Sequence, residues 1–380
     1  MKLLIISHTP HYRQGKTIVG LGATVREIDH LATLFESVRH VAFLHPGEAP
    51  LSALPYTQEH VELVGVPPAG GKRLRDKLSI LWLAPLYIRI ILRELPKADV
   101  VHVRCPASIS LMAIVLMALV RRPRVRWTKY AGNWRPEGHE PLSYRFQRWW
   151  LQKGFQGGVV TVNGEWPDQP PHIFSFLNPC LTSEEIAEGA QAAAEKEIGE
   201  PIQVLFVGRL EAEKGIGRAL RVIERLRRRG LEVAFHVVGD GPARRSFEEQ
   251  ARQAGLAETV RFYGLLPRPE LGRFYARAHI MLLPSSGEGW PKVLSEAMAY
   301  GVVPIASAVG SIPHYLEKFG TGRAFAPDEI DHYTEAIAWY ASHPEAWKQE
   351  SRRGVEAARL YSYEEYLRAV EGLLEAGAYD

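Results

Sequence analysis

Two short segments bring together residue types able to do chemistry. In VLFVGRLEAEKGIGRAL, residues 204–220, an apolar run ends at Val207 and Gly208 permits a turn. Arg209 and Lys214 follow, just before a helical pattern starts at Ile216. Backbone N–H groups at a helix start, with two cations beside them, form an anion site. The G-x-x-x-x-G-K-[ST] pattern of a P-loop is missing, so the spacing suits a diphosphate held by side chains as well as backbone. In PSSGEGWPKVLSEAMAYG, residues 284–301, Pro284 to Gly289 read as a loop, Pro291 as the first helical residue and Gly301 as the helix stop. Glu288 then lies in the loop and Glu296 inside the helix, so both could face the ends of the preceding strands. Carboxylates are strong acceptors for sugar hydroxyls and can pair with a ribose diol through both oxygens. Taken singly, Arg209 and Lys214 read as well as surface charges, and two isolated glutamates as solvated ones.

The elements that must position these residues follow from periodicity. Short β-rich apolar runs alternate with helical patterns along the whole chain, which predicts parallel sheets with crossover helices. In the first half the expected strands are 3–6, 38–44, 61–66, 100–103, 125–129, 159–162 and 173–177, with helices at 24–35, 74–94, 108–120 and 141–153. In the second they are 202–207, 233–238, 260–263, 280–283 and 303–306, with helices at 216–229, 269–278, 291–300 and 330–341. After Pro179 the composition turns to Ser, Glu and Ala, and residues 181–200 read as a helical linker. The expected architecture is α/β, two Rossmann-like doubly wound lobes facing across a cleft, with ligands at the carboxyl ends of the strands.

At 380 residues, with roughly 150 per domain, two or three domains are expected. A composition of 46% hydrophobic and 23% charged residues excludes a disordered or collagen-like chain. Two cysteines, Cys105 and Cys180, are too few for a disulfide framework and form no C-x-x-C pair, so no metal site is expected and a reducing, cytoplasmic setting is. The opening apolar run ends at Ser7, too short for a signal peptide, and the longest apolar run, Leu111 to Val120, is half the length of a spanning helix.

Charge divides unevenly. Residues 1–180 hold 22 Lys+Arg and 13 Asp+Glu, net +9, whereas 181–380 hold 24 and 30, net −6. Arg121, Arg122, Arg124 and Arg126 follow the longest apolar run directly. Such a cluster can meet an anionic membrane surface, an expectation strengthened by the apolar stretch 78–92. It also suits the negative end of a helix dipole. No nucleic-acid-binding motif accompanies it. The aromatic series Tyr144, Phe146, Trp149, Trp150 and Phe155 has helical spacing and reads as a core face.

Five blocks in order, VGRLEAEKG, VVGDGP, VRFYG, LLPSSGEGWPKVLSEAMA and ASAVGSIPHY, resemble the retaining glycosyltransferases of family 4, with their E-x7-E motif at Glu288 and Glu296. The resemblance covers most of residues 200–345. In the first half it rests on the strand pattern, Gly20-Leu21-Gly22 and VVHVR at 100–104. It implies the GT-B architecture: residues 1–180 as acceptor-side domain, 181–200 as linker, 201–357 as nucleotide-sugar-binding domain, and 358–380 as a helix returning to the first. It further implies a nucleoside-diphosphate-sugar donor, a glycan or lipid-linked acceptor, and no metal or other cofactor. On this analogy Arg209 and Lys214 hold the diphosphate, Glu288 with Gly289 and Trp290 positions the donor sugar, and Glu296 takes the ribose hydroxyls. Gly239-Asp240-Gly241 and Tyr263-Gly264 line the base pocket. Gly20, Gly22, His8 and Tyr130 are the candidates on the acceptor side, Tyr130 standing where family members carry a histidine. His102, His139 and Lys129 are its alternatives as proton acceptor. Two rival readings use the same architecture: a nucleotide-sugar epimerase or sugar-phosphate synthase, and a binding module without catalysis. Base, sugar, acceptor and oligomeric state are not encoded legibly.

Overall fold

A computed structural model describes residues 1–70, 74–136 and 140–377 of the chain. It divides into two compact units, residues 1–176 with the terminal stretch from Leu367, and Leu177–Tyr366.

The first unit is built on nine strands: β1 (Lys2–Gln14), β2 (Thr17–Leu21), β3 (Ser37–His45), β4 (Ala53–Pro55), β5 (Val61–Val66), β6 (Val100–Cys105), β7 (Val125–Tyr130), β8 (Val159–Val162) and β9 (Ile173–Ser175). Parallel pairing runs β5-β3-β1-β6-β7-β8-β9. β1 outruns its expected length because its polar end, His11 to Gln14, pairs antiparallel with β2 as a hairpin, and β4 extends that hairpin. Helices Leu74–Glu94, Ser108–Leu119 and Leu142–Gln152 bury Tyr87, Ile91, Ile109, Ala113, Ile114, Met117 and Leu151 in one core with Leu4, Ile6, Val101, Val103 and Val160 of the strands.

The second unit carries a six-stranded, wholly parallel sheet of β10 (Ile202–Val207), β11 (Val233–Val238), β12 (Val260–Gly264), β13 (Ile280–Leu283), β14 (Val303–Ser307) and β15 (Arg323–Phe325), in the order β12-β11-β10-β13-β14-β15. These strands read as continuous apolar runs because helices cover both faces. The order reverses at β10, which lies between β11 and β13. That reversal is the topological switch point where doubly wound sheets place their ligands.

Residues 181–200 are not a free linker. Thr182 and Glu185 form a capping box that starts the helix Ser183–Ala194, and Gly189 of that helix sits so close to the Ala299 carbonyl that a Cβ would lie 2.5 Å from it. Lys196 Nζ then donates to the carbonyls of Tyr275, Ala278 and Tyr300 at 2.7–2.9 Å. The segment therefore belongs to the core of the second unit. The terminal helix Tyr363–Gly377 begins in the second unit, and from Leu367 on it is part of the first.

Two surface expectations change. Arg126 does not face solvent with its neighbours: its guanidinium donates to the carbonyls of Met117, Val120, Pro123 and Gln156, closing the carboxyl end of the helix Ser108–Leu119. The aromatic series at 144–155 is not a core face, for Tyr144, Phe146, Trp149 and Phe155 are exposed, and Phe146, Trp149 and Phe155 stack on one another and on Trp150.

Candidate functional site

At the switch point, the loops leaving β10 and β13 are joined along their length. Ser286 N donates to Glu213 O at 2.8 Å, and Arg218, on the helix Ile216–Arg228, donates from Nη1 to Ser286 Oγ at 2.9 Å and to Pro284 O at 3.3 Å. Asp328 accepts from Arg218 Nε at 2.8 Å and fixes that side chain. Gly215 makes the approach possible. It starts the helix with φ +82°, and a Cβ there would lie 1.9 Å from Pro284 O. Gly310 does the same beneath the other side of the loop, where a Cβ would lie 2.1 Å from Glu288 O. Arg218 carried no signal in the sequence, since nothing local to it distinguishes it from the other arginines of its helix.

This zipping brings Lys214 and Glu288 together. Nζ lies 2.6 Å from Oε1, with 31% of the lysine side chain and 12% of the glutamate side chain exposed. Arg209 stands at the end of the same strand, mostly exposed, and donates to Glu211 Oε1 at 2.6 Å. Beside it Leu210 N donates to Asp240 O, and Gly239 N donates to Gly264 O at 2.8 Å, so the turns after β10, β11 and β12 form one edge. Asp240 Oδ1 accepts from the Gly241 N–H at 2.7 Å. Gly289 holds its place through its carbonyl, which accepts from both N and Oγ of Ser311.

Glu296 is buried, with one partner on each oxygen: Oε1 accepts from Arg268 Nη1 at 2.6 Å and Oε2 from Tyr275 OH at 2.9 Å. Arg268 also grips Glu185 and the Cys180 carbonyl. Burial, reinforced by the negative charge of Glu296, drives the Tyr275 hydroxyl far above its ordinary pKa, so it remains a donor. Neither Arg268 nor Tyr275 was singled out from the sequence, because nothing in the chain pairs positions 268, 275 and 296 before helices pack.

Two donor-side candidates sit elsewhere than expected. The Trp290 ring is buried, stacked on Tyr361 at 5.4 Å with its Nε1 donating to Ser295 Oγ at 2.8 Å, so only its backbone is left to a ligand. The Tyr263 side chain lies against Phe274, its hydroxyl 2.9 Å from His236 Nδ1, and only the following Gly264 reaches the strand-end edge.

In the first unit the structure reassigns most candidates. Tyr130 is buried at the end of β7, and burial pushes its hydroxyl up to about 12, with Arg148 donating to it at 3.4 Å. It stays protonated at neutral pH and is no proton acceptor. His102 is fully buried against Trp127 with ring centroids 3.7 Å apart, and Lys129 is buried in an ion pair with Glu27, which also binds Arg104. His139 lies outside the described residues. Gly20 lets the His11 ring pack against β2, where a Cβ would approach within 2.6 Å. The Gly22 N–H donates to Ser52 O at 3.0 Å. His8 remains exposed on β1.

The class of protein is thereby defined: a two-unit α/β chain whose second sheet presents a cation–carboxylate pair at its switch point. Solved structures of the same fold include sucrose-phosphate synthase from Thermosynechococcus elongatus, at TM-score 0.72 and 18% identity over 99% of this chain and 98% of that one. Anabaena Alr3699/HepE in complex with UDP and glucose matches at 0.70 and 16%, over 99% and 100%. The fold is that of the GT-B glycosyltransferases. Residues 189–359, within the second unit, match the family model of the glycosyl transferases group 1. A D-inositol 3-phosphate glycosyltransferase of Kribbella flavida is 30% identical over 219 residues, 54% of this chain and 50% of that protein. The chain thus spans about half the length of the curated relatives it matches.

Proposed function

We propose that the protein is a retaining glycosyltransferase of family 4 that moves a sugar from a nucleoside-diphosphate donor to a glycan or lipid-linked acceptor, in the synthesis of cell-surface polysaccharide or glycolipid. The observation that carries this reading is the meeting of Lys214 Nζ and Glu288 Oε1 at 2.6 Å, at the carboxyl ends of two adjacent parallel strands. A cation and a carboxylate at one point match the two charges that transfer generates, a departing diphosphate and a positive sugar. The bond from the anomeric carbon to the diphosphate oxygen breaks, and its electron pair leaves with the diphosphate. Lys214 and Arg209 take up that charge, so the reaction calls on no metal. The acceptor hydroxyl oxygen bonds to the anomeric carbon on the face the diphosphate leaves, and its proton passes to the departing phosphate oxygen. Glu288, with the backbone of Gly289, positions the donor sugar. Glu296 receives the ribose hydroxyls: a carboxylate has about four lone-pair sites, and Arg268 and Tyr275 occupy two. The turns at Gly239, Asp240, Gly241 and Gly264 border the base, and the first unit carries the acceptor.

A thermal-shift screen against uridine, guanosine and adenosine diphosphates and their sugar conjugates tests the reading. Uridine diphosphate comes first, because HepE was solved with UDP and glucose. A ligand at 100 times its Kd adds about 2.7 kcal/mol of stability. The shift is expected in the wild-type chain and not in Lys214→Ala. No shift with any nucleotide, or equal shifts in both chains, would overturn the assignment. Product stereochemistry by NMR decides retention, and turnover in excess chelator decides the metal question.

A further inference from the structure

Arg268 stands where a cation is disfavoured. It is the first residue of the helix Arg268–Arg277, at the positive end of that helix's dipole. Pro267 and Pro269 restrict the backbone on both sides of it. Among the described residues its guanidinium meets acceptors from three other segments. Nε donates to Glu185 Oε1 at 2.6 Å and Nη2 to Glu185 Oε2 at 3.0 Å. Nη2 also donates to the Cys180 carbonyl at 2.5 Å, and Nη1 to Glu296 Oε1 at 2.6 Å. The paired contact with Glu185 is sufficient for a structural role. It joins the start of this helix to the capping box at Thr182, whose N–H donates to the same Glu185 at 2.9 Å.

The contact with Glu296 does something further. A guanidinium is planar, so once Nε and Nη2 lie along Glu185, Nη1 has one direction left. That direction meets Glu296, inside the helix Lys292–Ala299, with 9% of its side chain exposed. The terminal torsion of a glutamate has no sharp preference of its own. With Arg268 on Oε1 and Tyr275 on Oε2, the carboxylate plane is fixed at both oxygens. Each oxygen keeps a second lone pair. One hollow is lined by Arg268, Tyr275 and Glu296 together, so the carboxylate is not sealed off. A vicinal diol offers two hydroxyls side by side, and it pairs best with both oxygens when their plane is preset. We propose that Arg268 is a positioning residue: acting through Glu296, with Tyr275 as the second anchor, it sets a preference for ribose over deoxyribose in the donor nucleotide. The proposal rests on the transfer reading, in which Glu296 receives the ribose hydroxyls.

Calorimetry on the full chain tests it, with uridine, guanosine and adenosine diphosphates each titrated beside its 2′,3′-dideoxy counterpart. The wild-type chain should bind the ribose form of its nucleotide about tenfold or more tightly than the dideoxy form, the factor for a hydrogen bond to a charged group. Arg268→Leu should reduce that preference to about threefold or less, while the dideoxy form still binds within about twofold of wild type. Tyr275→Phe, which removes one hydroxyl, should lower the preference in the same direction. Arg268→Lys, which keeps the charge without the fork, should recover part of it. In a Glu296→Gln background, Arg268→Leu should change the preference no further, because residues acting through one group are not additive. In steady state, KM for the sugar conjugate should rise in Arg268→Leu with kcat little changed, as for a contact made equally in ground and transition states. An unaltered ribose preference in Arg268→Leu and Tyr275→Phe, an equal loss for both nucleotide forms, or additive effects of Arg268→Leu and Glu296→Gln would overturn the proposal. Nucleotide binding without ribose preference in the wild-type chain would also overturn it and leave the transfer reading standing. Absence of binding to all three diphosphates would remove that reading and the proposal with it.

Discussion

Replacing Glu288 by Gln should move binding and turnover in opposite directions. Lys214 and Glu288 are partly buried and 2.6 Å apart. An ion pair in such a setting contributes on the order of 1 kcal/mol net, at the upper end for exposed pairs. An arriving diphosphate must share Lys214 with that carboxylate, so in the empty site Glu288 competes with the phosphate. Glutamine keeps the size and one acceptor oxygen but loses the charge. Bare nucleoside diphosphate should then bind about fivefold more tightly, the factor equivalent to ~1 kcal/mol. Transfer should fall by about 10²–10³ in kcat, the scale for losing one group placed against developing charge. Calorimetry with the diphosphate and steady-state assays with the sugar conjugate read the two effects separately. Lys214→Ala is the internal control, and its diphosphate affinity should drop tenfold or more, as for a lost charge-assisted hydrogen bond. Diphosphate affinity unchanged or weaker in Glu288→Gln would refute the competition. An unchanged kcat would remove Glu288 from the reacting centre.

Arg218→Met should lower kcat about tenfold and raise KM for the donor, because the loop before Glu288 loses two of its ties. Arg218→Lys should recover part of the kcat, which a purely structural loss would not allow. Gly215→Ala should cost at least about 2 kcal/mol of stability, measured by urea unfolding, because its left-handed backbone and the Pro284 carbonyl both reject a Cβ. A pH effect is also expected. His279 Nδ1 accepts from the Gln203 N–H, and burial, then the charge of Lys196, holds its pKa at about 4. An unfolded histidine titrates near 6.5, so between pH 6.5 and 4 the unfolded chain binds more protons than the folded one. Stability from this group is complete above pH 6.5 and falls toward pH 4 by up to about 3 kcal/mol. His279→Asn, which keeps an acceptor but cannot be protonated there, should flatten that slope in denaturant titrations. An unaltered slope would exclude His279 as its source.

Legibility varied with the range of the interaction. Apolar runs and turn residues act over a few positions, and from them nearly every central strand of both sheets could be placed, along with the helix that carries Glu296. The hairpin strand Thr17–Leu21 was missed because its partner is the polar extension of β1, which has no apolar alternation. The helix Leu142–Gln152 was recognised but its exposed face was misjudged, since helical spacing of aromatic residues gives a stripe without saying what covers it. Trp290 follows the same logic in reverse: in a loop by composition, it is drawn into the core by Tyr361, which lies 71 positions further along (361 − 290).

By itself, then, the sequence determined which residues end strands and which begin helices, and so that Arg209, Lys214, Glu288 and Glu296 follow the carboxyl ends of strands in a parallel sheet. The tertiary structure alone decided their partners. Lys214 meets Glu288 because β10 lies beside β13 as well as beside β11, its successor in the chain, and Glu296 is held by Arg268 and Tyr275 because the helices following β12 and β13 both pack against the helix Ser183–Ala194. Strand order and helix packing are set by burial of the whole apolar surface at once. No short stretch of residues can specify that.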